Sequence, residues 1–261
     1  MGTYVFLGSL LPAVDSKTVS VVLRSLHQDY DDGVTFDMDL DINGGYLAAQ
    51  VRASGVDVET LRNHVAISIE QFVDAASYMR GVALTVDLHA VIEPDGKLAT
   101  IGSQIKGLSA LDHDMDSLLA VLTRPQPNPH TAYHLGRAIA NVREAIRSPW
   151  DTGLFAYRAV ESVRQLFVDK ADSKKTREKK SWERLRNALK VERGWFDDLL
   201  DWGEPQRHSE PMHMSGDERL RAIGMARMVI SRFVAYASGG LQPLDEASFP
   251  ALIGGTGGGA P

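Results

Sequence analysis

The stretch VTFDMDLDINGGYLAAQVRAS, residues 34–54, decides the fold of the first half of this chain. Between residues 36 and 42, apolar side chains alternate strictly with aspartates. That period of two is typical of a strand with one buried face and one solvated face. Asn43 and Gly44 tolerate the positive φ that a tight turn requires, and an alternating segment follows them. The sequence therefore predicts an antiparallel hairpin.

Residues 1–123 are predicted to form an α+β domain around this hairpin. TYVFLG (3–8) and TVSVVLRSL (18–26) are β-branched and apolar runs that favour strands. Apolar residues recur at helical spacing from Asp57, a suitable N-cap, to about residue 79. The Pro-Asp-Gly turn at 94–96 indicates a second hairpin, and a short helix at about 110–122 ends the domain. The fold class is an antiparallel sheet with a covering helix.

The second half of the chain is predicted to be an all-α helical bundle, residues 131–238. Residues 124–130, RPQPNPH, contain three prolines and should form an extended linker. Helical stripes then follow one another, and Ser215 with Glu218 matches a capping box that starts the last helix at Gly216. Residues 239–261 are rich in Gly and Pro and are expected to be a flexible tail. Its FPALI segment is alternatively a docking motif for a partner.

The composition is that of an ordinary soluble protein. The 261 residues are 44% hydrophobic and 24% charged. No apolar run is long enough for a transmembrane helix, and the N-terminus lacks the basic region of a signal peptide. The chain has no cysteine, which excludes disulfides, a thiolate nucleophile and cysteine-ligated zinc. We expect a cytoplasmic protein without membrane association.

Two patterns suggest metal binding, but each is incomplete. DLDING (39–44) resembles the first half of a calcium loop, yet Gln50 stands where a bidentate glutamate is needed. His130 and His134 are one helical turn apart, but Thr131 replaces the glutamate of the zinc-protease pattern. The sequence also lacks a nucleophile elbow, a Walker loop and a dinucleotide fingerprint. We therefore predict no metal and no cofactor.

The segment RHSEPMH, residues 207–213, places an arginine and two histidines just before the last helix. With its helical surroundings, this segment resembles the HEPN superfamily over about residues 130–238. Members of that superfamily are helical bundles, and many are metal-independent ribonucleases with an R-x(4–6)-H motif. Arg207 and His213 fit this motif with a spacer of five. The same spacing recurs from Arg124 to His130, inside the proline-rich segment.

The resemblance implies a role for each residue of the motif. His213 is the expected general acid or base, Arg207 the contact to the scissile phosphate, and His208 an accessory polar residue. The resemblance also implies a homodimer through the helical domain. Proton transfer near neutral pH is within the range of histidine, and a guanidinium suits a phosphate oxygen. The expected function is that of an RNA-binding protein, in catalytic form an endoribonuclease and hence a hydrolase.

A basic stretch precedes the motif. Residues 169–194 contain ten Lys or Arg against five acids, in a chain of net charge −6. Such a local excess indicates a polyanion-binding face, and the interspersed acids also fit a solvated helix. The predicted RNA-binding residues are Lys174, Lys175, Arg177, Lys179 and Lys180.

Two alternatives remain open. The bundle could instead belong to a non-catalytic interaction or dimerisation protein, HEPN-like or unrelated. A further charged cluster, Tyr157, Arg158, Glu161 and Arg164, could orient the motif. It could equally be a surface ion pair between side chains one helical turn apart.

Overall fold

The structure is a computed structural model that describes residues 1–12, 20–30, 33–101, 115–208 and 214–254. The chain divides into two compact units, Met1–Gln104 and Ile105–Pro261. We call them the N-terminal unit and the helical unit. The fold class is as predicted, an antiparallel sheet with a helix followed by a helical region.

The N-terminal unit is built on a six-stranded antiparallel sheet in the order β2-β3-β4-β1-β5-β6. The first and last strands of the chain therefore do not lie at opposite edges, because β1 pairs with both β4 and β5. The strands are β1 (Gly2–Leu11), β2 (Ser20–Asp29), β3 (Thr35–Asn43), β4 (Tyr46–Ala53), β5 (Thr85–Ile92) and β6 (Leu98–Thr100).

The hairpin predicted at residues 34–54 consists of β3 and β4. Its apolar face is buried, since Phe36, Met38, Leu40 and Ile42 are each at most 2% exposed. Asn43 pairs with Tyr46, so the turn consists of Gly44 and Gly45, one residue later than predicted. The φ of Gly44 is +61°, a value that a glycine adopts without steric cost.

One helix, α1 (Val58–Arg80), packs against this buried face. The predicted N-cap is confirmed, because the Asp57 carboxylate accepts hydrogen bonds from the amides of Glu59 and Thr60 at 3.0 and 2.9 Å. Gly81 ends the helix with a φ of +65°, the left-handed conformation common at helix C-termini. Local sequence signals therefore set both ends of α1.

The helical unit contains six α-helices in its described residues. Helix α2 packs against α3 and α7, and its Val121 is buried in the core of this unit. The sequence predicts this helix as the end of the α+β domain, whereas it belongs to the helical unit. Residues 124–130 are consequently a loop inside the helical unit, between α2 and α3. The helices are α2 (Met115–Thr123), α3 (Thr131–Arg147), α4 (Thr152–Arg164), α5 (Lys174–Leu189), α6 (Asp197–Arg207) and α7 (Gly216–Ser238).

Helix α7 holds the helical unit together through its polar residues as well as its core. The predicted capping box is confirmed, with Ser215 Oγ accepting from the Glu218 amide at 3.3 Å and the Glu218 carboxylate accepting from the Ser215 amide at 2.8 Å. Buried Arg219 donates to Thr152 Oγ1 at 2.9 Å and to the Ile146 carbonyl at 3.3 Å. This arginine therefore ties α7 to the α3–α4 corner.

Residues 241–254 pack on the helical unit, although the sequence analysis had expected a flexible tail from residue 239. The Leu244 amide donates to the Ala188 carbonyl, and Leu252 forms a parallel bridge with Val191. Buried Arg232 of α7 donates to the carbonyls of Leu189 and Pro250. The FPALI segment thus docks on its own chain, while residues 255–261 lie outside the described residues.

Across the described residues, none of the helices combines the length and hydropathy needed to cross a bilayer.

Candidate nucleic-acid interface

Arg207 is the last residue of α6, and its side chain is exposed. Helix α6 packs closely against α4, because each of the two helices presents a glycine to the other. A Cβ on Gly203 would come within 2.7 Å of the Tyr157 Cβ, and one on Gly153 within 2.7 Å of the Trp202 carbonyl oxygen. Any larger residue would force the helices apart. The close contact therefore fixes the end of α6, and with it Arg207, beside α4.

Tyr157 and Glu161 form the part of α4 that faces this end. Tyr157 is 7% exposed, and the Glu161 carboxylate, one turn along the helix, acts electrostatically on its hydroxyl. Burial, and secondly the charge of Glu161, raise the pKa of Tyr157 to about 12. The positive charge of Arg207 acts on the same hydroxyl in the opposite direction, which places the guanidinium within electrostatic reach.

Glu161 also contacts a buried arginine. The Arg164 guanidinium lies 3.6 Å from the Glu161 carboxylate and donates to Ser181 Oγ at 2.9 Å. It also stands 5.4 Å from the centroid of the Trp182 ring. Arg164 is only 7% exposed, so the pair is not the surface ion pair that the sequence also allowed. A polar chain thus runs from Tyr157 through Glu161 and Arg164 to α5.

The motif itself is described in part. His208 is exposed in the turn after α6, where its amide donates to the carbonyls of Glu204 and Pro205. His213 lies outside the described residues, so its position relative to Arg207 stays a prediction. Within the described residues, the guanidinium of Arg207 makes no hydrogen bond or ion pair. Arg207 is therefore a cation without a structural partner there.

The basic residues of α5 differ in how far they are already used. Asp172, 6% exposed at its side chain, accepts from Lys180 at 2.8 Å and from Arg184 at 2.7 Å. Hydrogen bonds from Arg184 and then Lys180 lower the pKa of Asp172 to about 2. Arg177 donates to the carbonyls of Lys170 and Asp172 at 3.2 and 2.9 Å.

Two of the five predicted RNA-binding residues, Arg177 and Lys180, therefore hold the loop before α5 in place. The other three, Lys174, Lys175 and Lys179, are exposed. They have no ion-pair partner in the part of the chain that the structure describes. Of the five, only these three lysines remain candidates for contacts to a polyanion.

A polar groove of about 290 Å³ lies between α3 and α4. Across it, the Asn141 side-chain amide of α3 donates to Ser162 Oγ of α4 at 3.3 Å. Arg137 of α3 and Arg158 of α4 line it, and both are exposed. Neither makes an ion pair with any residue that the structure describes. The lining residues are Tyr133, His134, Arg137, Asn141, Arg158, Glu161, Ser162 and Gln165.

Of the two histidines at helical spacing, His134 lines this groove. The ring centroids of His130 and His134 are 6.3 Å apart, and the rings meet edge to face. Burial, and then the nearby His130, lower the pKa of His134, so its imidazole is neutral at pH 7. No group of three potential metal ligands occurs within the described residues.

Arg137 and the exposed Tyr133 line the groove but belong to none of the motifs found in the sequence. Both stand on the polar face of α3, within one turn of His134. Helical spacing alone could have grouped them with that histidine.

Comparison with known families accounts for both halves of the chain. Residues 4–101 match the N-terminal domain, and residues 123–238 the C-terminal domain, of a domain of unknown function, DUF8168. The chain therefore has the two-domain architecture of DUF8168. No curated protein and no solved structure matches the chain.

Every candidate residue falls within the DUF8168 C-terminal domain. Arg207, His208 and His213, the α5 lysines and the α3–α4 groove all lie between residues 123 and 238. Two structural elements extend beyond the matched DUF8168 regions. Most of α2 precedes residue 123, and the docked segment 241–254 follows residue 238. Chemically, the described residues of this domain offer exposed cations, hydrogen-bond donors and aromatic faces, the groups that bind phosphates and bases.

Proposed function

We propose that this protein is a HEPN-like RNA-binding protein whose helical unit cleaves RNA without a metal ion. The observation that carries the proposal is the position of Arg207. It is an exposed arginine with no structural partner among the described residues, held at the end of α6 by the Gly203 contact. It lies within electrostatic reach of the Tyr157 hydroxyl, and Glu161, which acts on the same hydroxyl, lines the groove that contains two further arginines.

The chemistry is attack of a ribose 2′-hydroxyl on the adjacent phosphorus. The 2′-oxygen forms a bond to phosphorus and loses its proton, while the bond to the 5′-oxygen breaks and that oxygen gains a proton. The products are a 2′,3′-cyclic phosphate and a 5′-hydroxyl. His213 transfers a proton in this reaction, and Arg207 binds the non-bridging oxygens as charge accumulates. His208 is an accessory polar residue beside them.

The test is cleavage of single-stranded RNA in the presence of a metal chelator. We expect His213→Ala to lower the rate by about 10²-fold or more, because general acid–base catalysis contributes that much. Arg207→Ala should lower it by a similar factor through loss of charge stabilisation. His89→Ala is the matched control, since His89 is an exposed histidine of the N-terminal unit.

The outcomes separate two classes of protein. Equal cleavage by the wild type and His213→Ala would remove the assignment of the catalytic residue. No cleavage by any folded variant would favour the alternative, a non-catalytic interaction or dimerisation protein. The proposal includes a homodimer through the helical unit, and sedimentation of the purified chain at several concentrations measures the oligomeric state directly.

A further inference from the structure

The α3–α4 groove carries positive charge that the fold does not use. Arg137 and Arg158 stand on opposite walls, and both guanidinium groups lack an ion-pair partner among the described residues. Glu161 is the one carboxylate lining the groove, so two cations face one anion. Elsewhere in this unit, Arg164, Arg219 and Arg232 are buried and donate to neighbouring side chains or carbonyls. The groove arginines are free to bind an anionic ligand.

The outer end of the groove is aromatic. Tyr133 is 65% exposed, and its ring centroid lies 5.1 Å from that of His134 in an edge-to-face arrangement. Contact with His134 restrains the tyrosine ring while one face stays open. A restrained, exposed aromatic face is the feature on which proteins stack unpaired bases.

The remaining lining groups suit the polar parts of a nucleotide. The Glu161 carboxylate and the Gln165 amide oxygen can accept hydrogen bonds from a ribose hydroxyl or from a base amino group. The volume of about 290 Å³ is at the lower end of the range for small-ligand sites, which suits one nucleotide rather than several.

We propose that the groove between α3 and α4 holds one nucleotide of a single-stranded RNA. Its phosphate binds Arg137 and Arg158, and its base stacks on Tyr133. This inference rests on the proposed function in taking RNA as the ligand. Helix α4 carries Arg158 and Glu161 of the groove and packs closely against α6, so a nucleotide held in the groove leads the RNA strand toward α6.

Binding is measured separately from cleavage with a labelled single-stranded oligonucleotide that carries 2′-O-methyl groups. Such a probe lacks the attacking hydroxyl, so fluorescence anisotropy reports affinity alone. Arg137→Ala and Arg158→Ala should each weaken binding about tenfold. Because both arginines bind the same phosphate, replacing the two together should reduce the slope of log K against log salt by about 0.7, the value for one phosphate contact on a single strand. Tyr133→Ala should weaken binding about fivefold or more through lost stacking.

Matched controls come from the same chain. Arg143→Ala removes an exposed arginine of α3 that is paired with Glu144 at 2.8 Å and does not line the groove. Tyr78→Ala removes a tyrosine of the N-terminal unit that is 90% exposed. Both controls should bind the probe as the wild type does.

Each outcome decides the inference. Wild-type affinity in the three groove variants would overturn it, and so would a wild type that does not bind the probe. If those variants lost affinity and the wild type did not cleave unmodified RNA, RNA binding by the groove would be supported and the nuclease activity overturned. If the wild type and the three groove variants cleaved RNA equally well, the nuclease activity would be supported and RNA binding by the groove overturned. If adenosine monophosphate bound as tightly as the oligonucleotide, the groove would be a site for free nucleotides, and the RNA assignment would be overturned.

Discussion

Two positively charged regions of the helical unit differ in what their charges do. The stretch around α5 has the greater density of basic residues in the sequence, yet its cations at positions 177, 180 and 184 hold the loop at Asp172. The α3–α4 groove has only two arginines, and neither has an ion-pair partner in the described residues. The number of basic residues in a sequence is therefore a poor measure of the charge available to a ligand.

The strongest test compares an arginine that the fold uses, Arg232 of α7, with an arginine of the groove. Arg232→Met removes three hydrogen bonds to the carbonyls of Leu189, Lys190 and Pro250 and leaves those acceptors without their donor. We expect a loss of about 3 kcal/mol in the free energy of unfolding. Arg158→Met, in the groove, should change it by less than about 0.5 kcal/mol.

Urea unfolding followed by tryptophan fluorescence gives both values. All four tryptophans belong to the helical unit, so the signal reports on that unit. A similar loss of unfolding free energy in the two variants would show that Arg158 also stabilises the fold. The contrast between arginines that the fold uses and those of the groove would then disappear.

The second test concerns the contact that holds Arg207 in place. Gly203→Ala would put a Cβ 2.7 Å from the Cβ of Tyr157, an atom near the backbone that cannot move independently. We expect a loss of about 1–3 kcal/mol from overpacking, together with weaker RNA binding. Gly224→Ala, in the middle of α7 with no atom within 4 Å, should instead gain about 1 kcal/mol from helix propensity.

Both glycine variants can be followed by the same urea titration. A stabilising Gly203→Ala would mean that α4 and α6 separate easily, and the close contact could not then position Arg207.

The smallest expected effect is the pH dependence of the Asp172 loop, because the Lys180 and Arg184 side chains are 49% and 39% exposed and water screens them. The folded-state pKa of Asp172 is about 2, below the ordinary value of 3.8. Its ionised form therefore stabilises the fold fully above about pH 4, and this contribution is lost as the pH falls toward 2.

The measurement is the difference in unfolding free energy between the wild type and Asp172→Asn. It should be constant near neutral pH and should shrink between about pH 4 and pH 2. Replacing both Lys180 and Arg184 by Met should raise the folded-state pKa of Asp172 and so make that decline smaller. A difference that does not change down to pH 2 would contradict the role of this carboxylate.

Most of the local structure was predictable from sequence, because its determinants are neighbours in the chain. The alternation at residues 36–42, the N-cap at Asp57 and the capping box at Ser215 each act within a few residues. The docking of residues 241–254 was not predictable. It depends on Arg232 and on the end of α5, which lie far away in sequence, whereas composition alone suggested flexibility.

The candidate site shows the same division. The place of the RHSEPMH segment just before the last helix followed from a local signal, the capping box at Ser215. The groove depends on two helices coming together, so Arg137 and Arg158 share a site only after folding. The proximity of Gly153 and Gly203 to the facing helices is likewise invisible in a linear sequence.

The docked segment 241–254 separates two kinds of boundary. The region shared with other DUF8168 proteins ends at residue 238, whereas the described fold continues to residue 254. A fragment cut at the homology boundary would expose the apolar surface beneath Leu244 and Leu252 and deprive Arg232 of the Pro250 carbonyl. A fragment that ends at residue 238 should therefore have a lower solubility and a lower refolding yield than one that ends at residue 254. For this chain, the matched DUF8168 domain is shorter than the segment that folds with it.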